Sequence, residues 1–191
     1  MLLFAAVGEA KKKKLPTDPE ELFNPLLGIE YSHWLVGPIA RMATEEEIER
    51  YLQLASDEEA AAFIEEFWKK RNEGTPVFTD TPQEIFERRV AEADKLFTEG
   101  TFPGSHSDRG TIYVLYGEPE KRYYDRPRRV DEPVTEVWEY PKDAEPGLDG
   151  EKPKRRYRFV KLGERTVLYT EQMKNDPRLR DLRRRLPRGG N

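Results

Sequence analysis

The feature that most constrains this chain is a change of period. From Thr44 to Phe97 the apolar residues recur at helical spacing, and beyond Gly110 they come in short β-branched and aromatic runs. Between the two lies Gly104-Ser105-His106-Ser107-Asp108-Arg109-Gly110, a polar stretch with a glycine at each end. Glycines that free the backbone, hydrogen-bonding side chains between them, and the run Thr111-Ile112-Tyr113-Val114-Leu115-Tyr116 directly after suit a chain leaving a helical layer for a sheet. The expected fold class is α+β, with N-terminal amphipathic helices packed on a C-terminal antiparallel sheet of four or five strands.

The helical part carries its own start signals. Thr44 with Glu47 reads as a capping box, followed by Ile48, Tyr51, Leu52 and Ala55 at helical spacing. Ser56 with Glu59 is a second box, and Ala60, Phe63, Ile64, Phe67 and Trp68 then fall on one stripe. That helix is expected to stop near Asn72 and Gly74, with Lys69, Lys70 and Arg71 at its C-terminal end, where cations favour the dipole. Thr81-Pro82-Gln83-Glu84 is a third start, its stripe Ile85, Phe86, Val90, Ala93, Leu96 and Phe97, its stop Gly100.

Beyond the glycine-flanked stretch, residues 111–116 read as a central strand, turned by Gly117-Glu118-Pro119-Glu120 into a strand over 121–124. Strands over 135–140, 155–162 and 165–170 complete an antiparallel meander, the last two joined at Gly163-Glu164. Residues 141–153 are polar and rich in proline and glycine, the composition of a mobile surface loop. The domain is therefore placed at 44–170. Residues 1–43 read as an extended or loosely helical arm with anchors Leu26, Leu27, Ile29, Trp34, Leu35 and Ile39. Residues 171–191 read as an arginine-rich tail whose Leu179, Leu182 and Leu186 share a helical face. The apolar run at 1–7 is too short to span a bilayer and lacks a positive n-region; it suits either the remnant of an export signal or a frayed terminus. Lys11 to Lys14 suit a solvated linker, with membrane-surface attachment through the N-terminus the weaker alternative.

Composition narrows the chemistry. The absence of cysteine excludes a disulfide framework and a thiolate metal site, and two histidines argue against a histidine-rich zinc site. Acids outnumber bases 16 to 7 over residues 44–99, while bases outnumber acids 21 to 16 over 100–191. The asymmetry fits either halves that neutralise each other when packed or a basic binding face. His106 and Asp108 beside Ser105 and Ser107 offer the residue types of a nucleophile, base and orienter, but neighbouring side chains on an extended loop diverge. No catalytic residue is assigned; Asp108 is read as an acceptor for backbone amides or the partner of an arginine. The acids at 45–47 are helix N-terminal charge, so no metal site and no cofactor are expected. Phe67 and Trp68 read as core aromatics.

Basic and aromatic residues interleave at Arg122, Tyr123, Tyr124, Arg128 and Arg129, and again at Arg156 and Arg158, which makes these the candidate contacts for an anion or a partner. The net charge of −4 argues against a dedicated nucleic-acid binder. A solvated sheet face or a contact with another protein or a second copy is the preferred reading.

The order of the blocks carries a resemblance. Phe67-Trp68-Lys69-Lys70-Arg71, a helix ending over Ala93 to Phe97, then Gly104 to Gly110, residues 111–119 and Glu136-Val137-Trp138-Glu139-Tyr140 resemble the bacterial GWxTD domain family, over roughly residues 34–170. The name motif corresponds to Gly104, Ser105, His106, Ser107 and Asp108, with serine for threonine and serine in place of the tryptophan. The matching positions Phe67, Trp68, Arg71, Gly104, Asp108, Arg109, Gly110, Gly117, Pro119 and Trp138 are expected to be structural. The family is of unknown function and its members commonly begin with an export signal. The resemblance therefore implies a periplasmic or envelope-associated bacterial protein, although a cytoplasmic one stays compatible with the residues. The expectation is a non-catalytic interaction or accessory subunit of an envelope-associated assembly. The alternatives are an enzyme with a site near 104–110 and binding of an anionic polymer or nucleic acid through the basic strands.

Overall fold

The computed structural model describes residues 19–125, 133–170 and 173, and within them the long helices begin where a side-chain acceptor stands ready. After the single turn α1 (Ile39–Met42) come α2 (Glu45–Leu52), α3 (Asp57–Asn72) and α4 (Pro82–Phe97). The hydroxyls of Thr44, Ser56 and Thr81 accept from the amides of Glu47, Glu59 and Glu84. Thr44 and Thr81 complete reciprocal boxes, whereas the Glu59 carboxylate reaches one residue further back, to the Ala55 amide.

The run at 111–116 is not a strand. It forms most of α5 (Asp108–Tyr116), with Ser107 as the N-cap and Gly117, at φ +77°, closing the C-terminus. Two forces override the β preference of Ile112, Tyr113 and Val114. The cap satisfies an amide that a strand would leave to find a partner, and a helix turns Val114 and Leu115 inward, each at most 2% exposed. The glycine-flanked stretch thus joins helix to helix.

The strands are β1 (Lys121–Asp125), β2 (Thr135–Glu139), β3 (Arg156–Leu162) and β4 (Arg165–Leu168), an antiparallel sheet in sequence order. Register pairs Arg122 with Trp138, Trp138 with Tyr157, and Phe159 with Leu168. Among the described residues the fold is α+β with four strands.

Two apolar clusters fill it. One gathers Leu22, Leu35, Ile39, Ile48, Tyr51, Phe63, Phe67 and Trp68; the other packs Ala93, Phe97 and Val114 on Trp138, Tyr157 and Phe159 of the sheet. Phe86 and Tyr116 touch both. Of the α4 stripe, Ile85 and Leu96 do not join, and Leu96 is 56% exposed.

Residues 19–43 are more than an overlay on this core. Leu22, Leu35, Val36, Ile39 and Ala40 are buried in the first cluster. Buried Asn24 donates to the carbonyls of Tyr51 and Leu54 and accepts from the Leu26 amide. The loop at 141–153 is also tied down, because the Leu148 amide donates to the Leu115 carbonyl and the Tyr116 hydroxyl to Asp149. The apolar run at 1–7, Lys11 to Lys14, Arg128, Arg129 and the arginine-rich tail from 174 onward lie outside the described residues.

Candidate functional site

The segment between α4 and α5 is built by packing backbone against backbone. Gly104 lies so close to α4 that a Cβ there would overlap the Ala93 carbonyl, and a Cβ on Gly110 would overlap the Gly104 carbonyl. Both glycines are present for close approach, not for an unusual φ. The Gly104 amide donates to the Thr98 hydroxyl (3.1 Å) and the Ser105 amide to Asp94 (2.7 Å). Ser107 donates to the Gly104 carbonyl (2.6 Å) and accepts from the Gly110 amide (3.0 Å).

Asp108 accepts the amide of Leu168, sixty residues further along the chain, so its carboxylate fastens β4 to the start of α5. Arg109 points the other way. Its guanidinium bridges Glu99 (2.6 Å) and Glu136 (3.1 Å), while Glu99 also accepts the Thr166 amide. The Nε of Arg109 is buried without a partner, and the guanidinium carbon lies 5.3 Å from the centre of the Phe97 ring. Glu136, buried on β2, accepts from Arg122 and from the Trp138 indole (2.8 Å). Burial raises the Glu136 carboxyl, but the Trp138 bond and the Arg122 and Arg109 charges outweigh it and hold the group below its ordinary value.

A cleft of about 190 Å³ opens beside this segment, between Gly37 and Ala40 on one side, Phe102, His106 and Asp108 on another, and Arg165 to Val167 at the sheet edge. Burial lowers the His106 imidazole below its usual value, which makes it neutral at pH 7. Among the described residues no hydrogen bond joins His106 to Ser105, Ser107 or Asp108. The hydroxyl of Ser107 is engaged both as donor and as acceptor. The cleft has room for a small ligand.

The other motif positions are scattered. Phe67, Trp68 and Arg71 sit in the helical cluster. There Arg71 donates to the Met42 carbonyl and pairs with Glu47 (both 2.7 Å), its guanidinium carbon 3.3 Å from the centre of the Phe67 ring. Burial raises Glu47, and the bonds from Arg71 and the Thr44 amide more than reverse it, leaving the carboxyl lowered. Gly117 ends α5, its carbonyl accepting the Tyr140 hydroxyl (2.8 Å). Pro119 lies with exposed Leu96 along a groove floored by Phe97 and Trp138. Arg109, Arg122 and Trp138 do come together, at Glu136, and Gly110 packs on Gly104; Phe67, Trp68 and Arg71 belong to another part of the molecule.

The basic strands are largely answered by their own acids. Arg122 pairs with Glu136, Arg156 with Glu139 directly opposite in register, and Arg158 with Asp125 (3.0 Å). Tyr123 donates to Glu139 (2.9 Å), and Tyr124 stands 69% exposed. Ion pairs such as Arg71–Glu47 and Arg156–Glu139 lie within the acidic or the basic half, and Arg109–Glu99 links the two. Sequence reasoning did not single out Glu99, Glu136, Val77 or Phe78. The last two were legible as apolar residues set between Pro76 and Thr79.

No curated protein and no solved structure matches the chain. The family model of the GWxTD domain matches residues 27–164. That match spans well over half of the sequence and takes in the glycine-flanked segment, the Glu99–Arg109–Glu136 network and three of the four strands, and so the chain belongs to the GWxTD domain family.

Proposed function

We propose that this chain is a non-catalytic interaction subunit of an envelope-associated bacterial assembly, and that it docks a protein through the turn between α3 and α4. The observation that carries the reading is the state of Val77 and Phe78, 91% and 100% exposed. The turn holding them is fixed, since both the amide and the hydroxyl of Thr79 donate to the Pro76 carbonyl and Arg88 pairs with Asp80 on its flank. Single exposed apolar residues are common, but two adjacent ones held out by a bonded turn form a contact whose burial would release about 1.5–3 kcal/mol per side chain. By contrast, the hydroxyl of Ser107 and the side chains of Asp108 and Arg109 are spent on internal bonds.

The test is a photo-crosslinking residue at position 78, compared with one at Glu87, in cells of the source organism. A protein adduct specific to position 78, and loss of association in Val77→Ser/Phe78→Ser with unchanged melting, are expected. No adduct above the Glu87 control, together with normal association of the double variant, overturns the interaction reading. Recovery of the protein in the cytosolic fraction alone would remove the envelope part.

A further inference from the structure

The sheet has two edge strands, β1 and β4, and the chain closes off one of them. At β4 the amides of Thr166 and Leu168 turn away from β3 and are taken by the carboxylates of Glu99 and Asp108. At β1 the direction of the backbone groups follows from the register. The Tyr140 amide bonds the Arg155 carbonyl, so Glu136, Trp138 and Tyr140 aim at β3, and by alternation Thr135, Val137 and Glu139 aim at β1. Their partners Asp125, Tyr123 and Lys121 therefore bond inward, which leaves the amides and carbonyls of Arg122 and Tyr124 pointing out of the sheet. Among the described residues nothing bonds these groups. The strand is regular, contains no proline, and exposes its side chains from Lys121 to Tyr124. An edge of this kind is a template for another strand.

We propose that β1 pairs antiparallel with β1 of a second copy, about a two-fold axis at Tyr123, joining the two sheets into one. Charged side chains on an edge turn most strands away, but these suit the strand's own reverse. Lys121 stands opposite the partner's Asp125, Arg122 opposite the partner's Tyr124, and Tyr123 opposite the partner's Tyr123. In this register the outward groups of Arg122 and of the partner's Tyr124 exchange both N–H···O bonds, and the symmetry repeats the exchange. Lys121 and the partner's Asp125 form a non-hydrogen-bonded pair, the kind in which side chains lie nearer. Neighbouring registers fail. A shift of two residues one way sets Arg122 against the partner's Arg122, and the other way carries Lys121 and Arg122 past the end of the partner strand. A shift of one puts facing side chains on opposite faces of the sheet. On the face turned to the helices, the partner's Tyr124, 69% exposed in the single copy, comes beside Arg122 at the border of the groove floored by Phe97 and Trp138. On the other face the two Tyr123 rings meet at the axis.

The test uses the full chain at pH 7. In sedimentation equilibrium the mass is expected to rise with concentration toward twice that of one chain. Lys121→Asp sets acid against acid at both ends of the pairing and should raise the dissociation constant at least about fivefold. Tyr124→Pro removes an outward amide but no bond to β2, so it should abolish the dimer with circular dichroism unchanged. The absence of cysteine allows an arm that does not rely on the proline variant folding. Tyr123→Cys places two thiols at the axis, about 4.5 Å apart at Cα and within the span of a disulfide. It should oxidise to a covalent dimer much faster than Glu164→Cys, an exposed position in the turn before β4. A single-chain mass at every concentration, with Tyr123→Cys no faster than Glu164→Cys, overturns the proposal. So does a dimer that Lys121→Asp and Tyr124→Pro leave intact, or one lost instead with Val77→Ser/Phe78→Ser.

Discussion

Replacing Arg109 by methionine removes the charge that holds two carboxylates together while keeping much of the side-chain volume. In the structure Arg109 and Glu136 are 13% and 3% exposed at their side chains and Glu99 is 11%. Removing one partner of a buried pair costs roughly 3–5 kcal/mol, because the other charge is left without compensation. Here the lower end applies, since Glu136 keeps Arg122 and the Trp138 indole, and Glu99 keeps the Thr166 amide. A loss of about 3 kcal/mol in a domain of this size lowers the melting temperature by about 6–12 °C, read by circular dichroism at pH 7. The pH dependence is a second signature. Glu136 is lowered in the folded protein, so it contributes stability above the unfolded carboxyl value of about 4.3 and loses it as pH falls through the folded value. Without Arg109 the folded value rises, protonation becomes less costly, and the gap between wild type and variant narrows on going from pH 7 to about 4. Glu136→Gln in the Arg109→Met background should cost less than the two single losses combined, as the charges it removes are already unbalanced. Melting within about 2 °C of wild type at pH 7, or a gap that widens in acid, would refute the reasoning.

Two further outcomes follow from the same segment. Gly104→Ala and Gly110→Ala each force a methyl group onto a backbone carbonyl that cannot yield without moving a helix, and each should lower the melting temperature more than Gly150→Ala, whose Cβ would meet nothing within 4 Å. Asp108→Ala leaves the Leu168 amide without its acceptor and should cost about 1–2 kcal/mol by urea denaturation, with Asp108→Asn in between; two wild-type midpoints would detach β4 from this carboxylate.

The helices α2, α3 and α4 were legible because their caps are local, with acceptor and amide three residues apart at Thr44, Ser56 and Thr81. The strands were legible within a residue or two from their β-branched and aromatic runs. Helix α5 was hidden by the same rule, for a short apolar run of Ile112, Tyr113 and Val114 has no period long enough to separate strand from helix. The missed signal was at its ends: Ser107 as a cap, Asp108 in the first turn, and Gly117 just past the last. The network around Arg109 was legible only as an arginine in need of an acid, because Glu99 and Glu136 are fixed by where α4 ends and by the register of β2, neither of which a linear reading supplies. The exposure of Leu96 was likewise not legible from the stripe, whose spacing gives it the same face as Phe86 and Ala93.

The bonds from Asp108 to Leu168 and from Glu99 to Thr166 close loops of 60 and 67 residues. Contacts so distant along the chain are slow to form, since the entropy of closing the loop is lost before the bond is gained. They also order events during synthesis. The helices can assemble while the ribosome is still translating the sheet, but the segment after α4 keeps two carboxylates without their amides until β4 has emerged, so the glycine-flanked segment is among the last parts of the domain to become native.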